Sequence, residues 1–311
     1  MYKDSKYNSL ASQIVQAPYD YVCSLPSKGV RDRLIDTLNN WLLVPEDSAI
    51  SVKQIIGLLH NSSLILDDFQ DRSPLRRGRP STHTVFGPAQ AINTSSYAIV
   101  EAISKIQNMS DMNCAKSATK KIITIFEGQA MELHWTHNAE CPSVEQYMQM
   151  IGDKTGALFG LAFQLLVAQA PSHISERMIV WADRLMDLLG RYFQIRDDYQ
   201  NLMSPDYADQ KGFCEDLDEG KYSLPLIHCL HSNRDNLLVQ YILSTRREHG
   251  ELTQPQKILI LEQLKECGSL EWTRSILNDL YIQLIGAFET LEAEFGVANP
   301  QLRGLIELLQ V

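Results

Sequence analysis

Leu64-Ile65-Leu66-Asp67-Asp68-Phe69-Gln70-Asp71, followed by the basic loop Arg76-Arg77-Gly78-Arg79, is the stretch on which the reading of this 311-residue chain turns. Three carboxylates end an apolar run with helical spacing, and three guanidiniums follow within a few residues. On a helix Asp67 and Asp71 form an i,i+4 pair on one face, with Asp68 about 100° around. Such a cluster weakens the helix by like-charge repulsion, and acids at a helix C-terminus also oppose the macrodipole. A hard divalent cation relieves both problems, because Mg2+ favours a few carboxylates together with phosphate oxygens. Neighbouring arginines suit the same phosphates as bidentate partners. Taken alone, the stretch reads more simply as a solvated acidic helix end beside a basic turn, so the rest of the chain has to decide.

Working outward, the composition is 44% hydrophobic, enough for a sizeable core in one large domain or two small ones. A net charge of −10 and a pI near 5.3 argue against nucleic acid or an anionic membrane surface as the main partner. An acidic protein that handles polyanions needs local cations, which raises interest in metal sites and in clustered Lys and Arg. The six cysteines, at 23, 114, 141, 214, 229 and 267, form no CxxC pair. The opening MYKDSKYNSL lacks an apolar signal-type core, and no uninterrupted 18-residue apolar run occurs. These features predict a soluble, cytoplasmic protein with reduced thiols and no membrane span.

Residues 6–17 form a weakly amphipathic segment expected to end at Pro18. A loop over 25–31 leads into a helix with Leu34, Leu38, Trp41 and Leu42 on its apolar stripe, stopped by Pro45. Ser48 is expected to cap a helix over about 49–71, with Ile55, Ile56, Leu59, Leu66 and Phe69 inward. Residues 72–88, rich in Pro, Gly, Arg, Ser and Thr, read as an ordered loop. Further helices are expected near 89–107, 114–136, 143–169, 173–203, 222–246, 254–266, 270–295 and 298–309. Period-2 alternation is nearly absent, so strand content should be close to zero. No repeat or composition shift marks a boundary, and residues 1–311 read as one all-α domain. Gly152, Gly156 and Gly160 share one helical face at about 1 kcal/mol each relative to alanine. They keep that face small for close approach of a helix or of a ligand.

A second acidic constellation lies at Tyr192-Phe193-Gln194-Ile195-Arg196-Asp197-Asp198-Tyr199-Gln200-Asn201. Gln194, Asp197, Asp198 and Asn201 share a face of a helix otherwise rich in Leu, Met and Ile. Charges inside such a segment are costly to bury unless paired or metal-bound. Two Asp-rich helical clusters about 130 residues apart suggest opposite walls of one cavity. Lys211 and Lys221 frame the acidic run that follows, although each lysine alone is more simply a surface residue.

With these motifs the chain resembles the trans-isoprenyl diphosphate synthases, and most closely the fungal and other eukaryotic geranylgeranyl diphosphate synthases. The likeness covers nearly the whole chain. It rests on Leu58–Asp71, Arg76–Pro80, Phe126–Gln129, Gly152–Gly156, Phe193–Asn201 and Lys211–Lys221, an ordered set far more specific than a lone DDxxD. The resemblance implies a single large helical bundle around a central cavity. It implies that Asp67, Asp68 and Asp71, with Asp197 and the supporting Asp198, ligate Mg2+, three ions per active site, around an allylic diphosphate. Arg76, Lys154, Lys211 and Lys221 would neutralise that diphosphate, and Thr155 and Gln194 would steady developing cationic charge. Lys28, Arg31, His60 and Arg77 match the pocket for isopentenyl diphosphate. Asn201 departs from the DDxxD pattern and is a weak metal ligand. A homodimer or larger homo-oligomer is the implied assembly.

The implied chemistry is ionisation of an allylic C–O bond, attack by the isopentenyl double bond and loss of a proton, for which the departing diphosphate is a sufficient base. Ser62 and Ser63, just before the first motif, are small and leave room for a chain longer than fifteen carbons. The floor is expected deeper, near Tyr97, Ala98, Ile99 and Val100, and a twenty-carbon product is expected. Products of twenty-five carbons or more are the first alternative. A class I terpene cyclase is a second, but residues 201–209 lack its Asn/Ser/Glu triad. A non-catalytic partner subunit is a third, and such subunits lose motif residues that this chain keeps. Similar domains also occur fused to a terpene cyclase, so the chain is either free-standing or such a domain. His134 with His137, His228 with His231, and Asp183 with Asp187 are read as structural or surface pairs. Gln129 and Glu132 are read as residues lying behind the cavity wall.

Overall fold

The computed structural model describes residues 5–27, 29–109, 112–204, 212–232 and 237–310. Lys28 and Lys211, both named above, lie outside them. Among the described residues the structure is all-α apart from one two-residue ladder.

Helix α1 spans Ser5–Ser24 and runs through Pro18 instead of ending there. Proline removes one backbone donor and disturbs the turn before it. Here Thr94 Oγ1 donates to Val15 O at 2.8 Å, tying that turn to the helix over Pro88–Met109. Val22 and Leu25 then bury against Ile65 and Ala91, and this packing outweighs the break. Helix α2 (Val30–Leu42) buries Leu34, Leu38, Trp41 and Leu42 as the periodicity predicts. Trp41 stacks on Phe295 with centroids 4.8 Å apart, and its Nε1 donates to Val297 O at 2.8 Å. The stacking adds about 0.5–1.5 kcal/mol to the area buried.

Helix α3 (Glu46–Gln70) starts before Ser48. Glu46 and Asp47 occupy its first turn, where acids favour the dipole, and Ser48 Oγ turns away to Gln169 Oε1 at 3.4 Å. Its buried stripe climbs through Val52, Ile55, Ile56, Leu59, Ser62, Ile65 and Asp68. The stripe is apolar in the bundle core and becomes polar near the helix end.

The 72–88 stretch contains a hairpin of β1 (Leu75–Arg76) and β2 (Arg79–Pro80), with Arg76 opposite Arg79. Its two central residues have positive φ, 55° at Arg77 and 74° at Gly78, the signature of a tight hairpin turn. A short α4 (Thr82–Phe86) leads to α5 (Pro88–Met109) and α6 (Met112–Asn138).

The span expected as one helix over 143–169 is continuous in direction but divided. Helix α7 (Val144–Ile151) is capped by Ser143, whose Oγ accepts from Gln146 N at 3.2 Å. A π-helical segment, Gly152–Gly156, interrupts it before α8 (Ala157–Val167). Helix α9 (Glu176–Met203) has a buried stripe that runs from Leu185, Leu189 and Tyr192 to Asp198 and Asn201, a counterpart of the one on α3. The remaining helices are α10 (Glu215–Glu219), α11 (Leu224–Ser232), α12 (Leu237–His249), α13 (Gln254–Glu266), α14 (Ser269–Phe295) and α15 (Pro300–Glu307). The span 222–246 therefore holds two helices, and residues 233–236 between them lie outside the described set.

The glycine face is a packing surface. A Cβ on Gly190 of α9 would overlap the backbone of Gly156, and one on Gly128 of α6 would come within 2.7 Å of Lys154 N. The π segment is thus wedged between two helices that carry glycine at the contact. Glu46–Gln70 and Val144–Val167 are long and apolar enough to cross a membrane. In the bundle their apolar residues form the core, and their polar residues reach the site described next.

Candidate active site

The ends of α3 and α9 and the π segment enclose two connected compartments. The first, with a volume of about 210 Å³, is lined by Asp67, Glu132, Lys154, Gln194, Asp197 and Lys221 at one end. At the other end it is lined by Leu59, Ser62, Ser63, Ile99, Ile122 and Phe126. The second, about 630 Å³, is lined by Arg31, Arg33, Arg77, Arg196 and apolar residues of α8, α9 and the Leu308–Leu309 end. His60, Leu64, Arg76, Thr155, Leu158, Phe193 and Asp197 line both. One compartment is acidic with interspersed cations, the other is cationic, and they meet at Thr155, Phe193 and Asp197.

The tight hairpin turn explains how two adjacent arginines diverge. Arg76 Nε donates to Asp68 Oδ1 at 2.8 Å, whereas Arg77 Nη1 reaches Leu25 O at 3.4 Å in the second compartment. Asp68 is fully buried. The other acids of the first motif also have cationic neighbours. Lys221 Nζ lies 2.7 Å from Asp71 Oδ2 and 2.5 Å from Glu219 Oε2. Lys154 pairs with Glu132 and lies 3.8 Å from Asp67 Oδ2. Burial pushes the Asp71 carboxyl up to about 6 against the pull of Lys221, with Glu219 and Asp67 adding to the rise. Burial also works against the Glu132 carboxylate, but Lys154 and Lys221 outweigh it and hold its pKa below the usual range. Among Asp67, Asp68 and Asp71, it is Asp67 that lines the cavity.

The second acidic cluster is held by neutral donors. Tyr147 OH donates to Asp198 Oδ2 at 2.6 Å, and Gln194 Nε2 donates to Asp198 Oδ1 at 2.9 Å. Thr155 Oγ1 in turn donates to Gln194 Oε1 at 3.0 Å. Burial raises Asp198 to about 6, and the Tyr147 and Gln194 hydrogen bonds oppose the rise. Asp197 faces both compartments, and Asp198 lines the first. Asn201 Oδ1 accepts from Asp216 N at 3.3 Å and holds the α10 loop.

His60 lies between the compartments. Burial, reinforced by Arg31, Arg77 and Arg76, lowers its pKa well below 6.5. The lowered pKa favours the neutral imidazole there over a further cation. Ser62 and Ser63 turn their hydroxyls back to Leu59 O and His60 O, both at 2.8 Å, and present little bulk to the cavity. Of the residues expected at its floor, Ile99 lines the cavity, whereas Tyr97 and Val100 are 44% and 65% exposed. Ile122 and Ile125 of α6, which the sequence did not single out, line it too, beside Phe126 of the quoted Phe126–Gln129 motif.

Arg33, Arg196 and Tyr147 were also missed. The buried Nε of Arg196 has no hydrogen-bond partner among the described residues, an opening for an anion in the second compartment. Its adjacency to Asp197 was the available signal. Of the residues read as structural or surface pairs, His228 stacks on Trp272 at 4.3 Å, and His231 Nε2 is 2.8 Å from Pro142 O. Asp187 pairs with Arg191 at 3.0 Å beside Gly152, so it is less solvated than Asp183.

The polyprenyl synthetase family model matches residues 12–259. The chain belongs to this family. Geranylgeranyl pyrophosphate synthase 2 of Gibberella fujikuroi is 52% identical over 306 residues, which cover 98% of this chain and 78% of that protein. Geranylgeranyl pyrophosphate synthase 3 of Zymoseptoria tritici is 44% identical, covering 99% and 84%. Fusicoccadiene synthase of Phomopsis amygdali is 49% identical over 309 residues, and there the chain spans only 43% of the relative. In this polyprenyl synthetase chain no group of three metal-ligating side chains is preassembled among the described residues, the first-motif acids and Glu132 being drawn onto Arg76, Lys154 and Lys221. The donor set is all carboxylate oxygen, supplied from two walls, which fits a hard divalent cation such as Mg2+.

Proposed function

We propose that this chain is a Mg2+-dependent, chain-elongating prenyltransferase that condenses isopentenyl diphosphate with dimethylallyl, geranyl or farnesyl diphosphate to give geranylgeranyl diphosphate for terpenoid biosynthesis. The observation that carries the proposal is the pair of compartments sharing Thr155, Phe193 and Asp197, one suited to a diphosphate with its cations and the other to a second diphosphate. A class I cyclase has one diphosphate to hold and no use for the arginine-lined compartment.

Asp67, Asp68, Asp71 and Asp197 would hold the cations, three by the family's pattern, with Asp198 supporting Asp197. Bound there, Mg2+ neutralises the charge that develops on the leaving diphosphate. Arg76, Lys154 and Lys221 exchange their carboxylate partners for phosphate oxygens, with Lys211 as a further cation. Lys28, Arg31 and Arg77 hold the isopentenyl diphosphate, joined by Arg33, Arg196 and neutral His60. Thr155 and Gln194, locked to each other and to Asp198, present fixed dipoles to the cationic carbon instead of mobile water. The diphosphate takes the final proton. The growing chain passes Ser62 and Ser63 toward Ile99, Ile122 and Phe126.

Residues 1–311 act as one domain, a reading supported by Tyr199 and Tyr222, which pack against both large core clusters. Ile92, Tyr97 and Val100 of α5 and Ile123, Phe126 and Met131 of α6 are exposed apolar residues. They fit a second copy of the chain, and Phe126 belongs to both this face and the cavity wall. A cytoplasmic location completes the reading.

Labelled isopentenyl diphosphate with farnesyl diphosphate as primer, followed by product chromatography, tests it. A C20 product is expected. C25 or longer products would replace the chain-length assignment, and no elongation from any allylic primer would favour a silent subunit.

A further inference from the structure

Lys221 is one of the cavity cations, yet it sits on an irregular loop rather than on a long helix. The loop over 212–221 has three residues in left-handed or extended positive-φ conformations, Gly212 at 120°, Cys214 at 49° and Gly220 at 73°. Between them the α10 turn is only five residues long. Such a segment does not hold its own shape, because neither propensity nor intrahelical hydrogen bonding suffices at that length.

Two cations outside both compartments hold it. Lys257, in the first turn of α13, is 7% exposed. Its Nζ donates to Phe213 O at 2.7 Å and pairs with Asp218. Asp218 Oδ1 also accepts from Leu252 N at 2.9 Å. Arg246 of α12 donates from Nε to Asp218 O at 2.7 Å and from Nη2 to Glu219 O at 2.6 Å. A Cβ on Gly220 would overlap the Arg246 guanidinium, so the glycine also makes room for the clamp. Both ends of the α10 turn are thereby tied to α12 and α13. On the cavity side the same turn presents Glu219, against which Lys221 Nζ rests at 2.5 Å while it reaches Asp71.

We infer that Lys257 and Arg246 are positioning residues that fix where Lys221 stands relative to the first aspartate motif, and hence the affinity of the allylic diphosphate compartment. The inference rests on the prenyltransferase reading. Neither residue lines a compartment, so any effect on diphosphate binding is transmitted through the loop. The charge pair and the three carbonyl contacts define one geometry, and displacement of a charged group by about 1 Å can cost up to about a hundredfold in catalysis.

The test uses the full chain and two variants, Lys257→Met and Arg246→Met, with three readouts. These are KM for farnesyl diphosphate, KM for isopentenyl diphosphate, and calorimetric binding of inorganic diphosphate with Mg2+. The expected result is about a tenfold rise in the farnesyl diphosphate KM and a matching loss of inorganic diphosphate affinity, with the isopentenyl diphosphate KM within about twofold of wild type. A lowered melting temperature with both KM values and the diphosphate affinity unchanged would overturn the inference, as would a common shift in both KM values. Should one variant fail to fold, the other carries the same prediction. A wild-type chain that binds diphosphate without turning over either substrate would instead overturn the prenyltransferase reading, leaving the binding comparison to decide the inference.

Discussion

The two acidic helices reach the cavity by the same route and are stabilised there by different means. On α3 and on α9 an apolar buried stripe ends in a buried aspartate, Asp68 and Asp198 respectively. Asp68 stands at a helix C-terminus, where the dipole opposes it, and is balanced by the guanidinium of Arg76. Asp198 stands inside α9 and is balanced by two neutral donors, Tyr147 and Gln194. The difference separates two tasks. On the proposed function, ion pairs on the α3 side would exchange for phosphate and metal when a ligand enters. The hydrogen bonds to Asp198 would keep their partners on that reading, while Asp197 beside it takes up the cations.

The largest effect should come from the exchangeable side. Asp67→Ala removes a cavity carboxylate that is not itself part of the buried core, and turnover should fall by about a thousandfold or more. Far-UV circular dichroism should remain that of the wild type, and unchanged turnover would break the distinction. Ser63→Phe fills the cavity beside the α3 motif without altering any charge. Product chromatography should show a shift to chains shorter than C20, with total turnover changed far less than in Asp67→Ala.

On the fixed side, Tyr147→Phe deprives buried Asp198 of one donor. Stability should fall by about 1–3 kcal/mol, the cost of a buried polar atom left without its partner. Turnover should fall about tenfold, measurable by denaturant titration and steady-state kinetics on one preparation. The smallest effect concerns α10, a third acidic element. Burial, then the neighbouring Glu219 charge, pushes Glu215 up to about 7 from 4.5. Because the folded pKa lies above the unfolded one, the native state binds this proton more tightly. The contribution to stability is full below pH 4.5, declines as pH rises from 4.5 toward 7, and is lost above it. Glu215→Gln should remove that slope and add about 1 kcal/mol at pH 8, solvent screening included.

The sequence made legible whatever depends on local pattern. Helical periodicity gave the all-α bundle, and two Asp-rich helical clusters far apart in the chain pointed to opposite walls of one cavity, which Asp67 and Asp197 do line. Features decided by distant partners escaped. Pro18 ends a helix by local rules, yet Thr94 and the Val22 contacts carry α1 past it. Ser48 is a good cap by composition, but Gln169 takes its hydroxyl. Tyr147 and Lys257 lie in ordinary amphipathic helices, and their roles exist only because α9 and the α10 turn come to lie against them. Gly152, Gly156 and Gly160 signalled close approach, but which helix approaches was not encoded within the segment itself.

Occupancy of two compartments by two diphosphates that meet at one reacting centre is the core of the proposed function. Its most direct measurement is diphosphate release by the purified chain with Mg2+, comparing farnesyl diphosphate alone, isopentenyl diphosphate alone and both together. Release should be negligible with either alone and rapid with both, accompanied by a C20 product in equal amount. Equal release from farnesyl diphosphate alone, or none with both, would contradict the account.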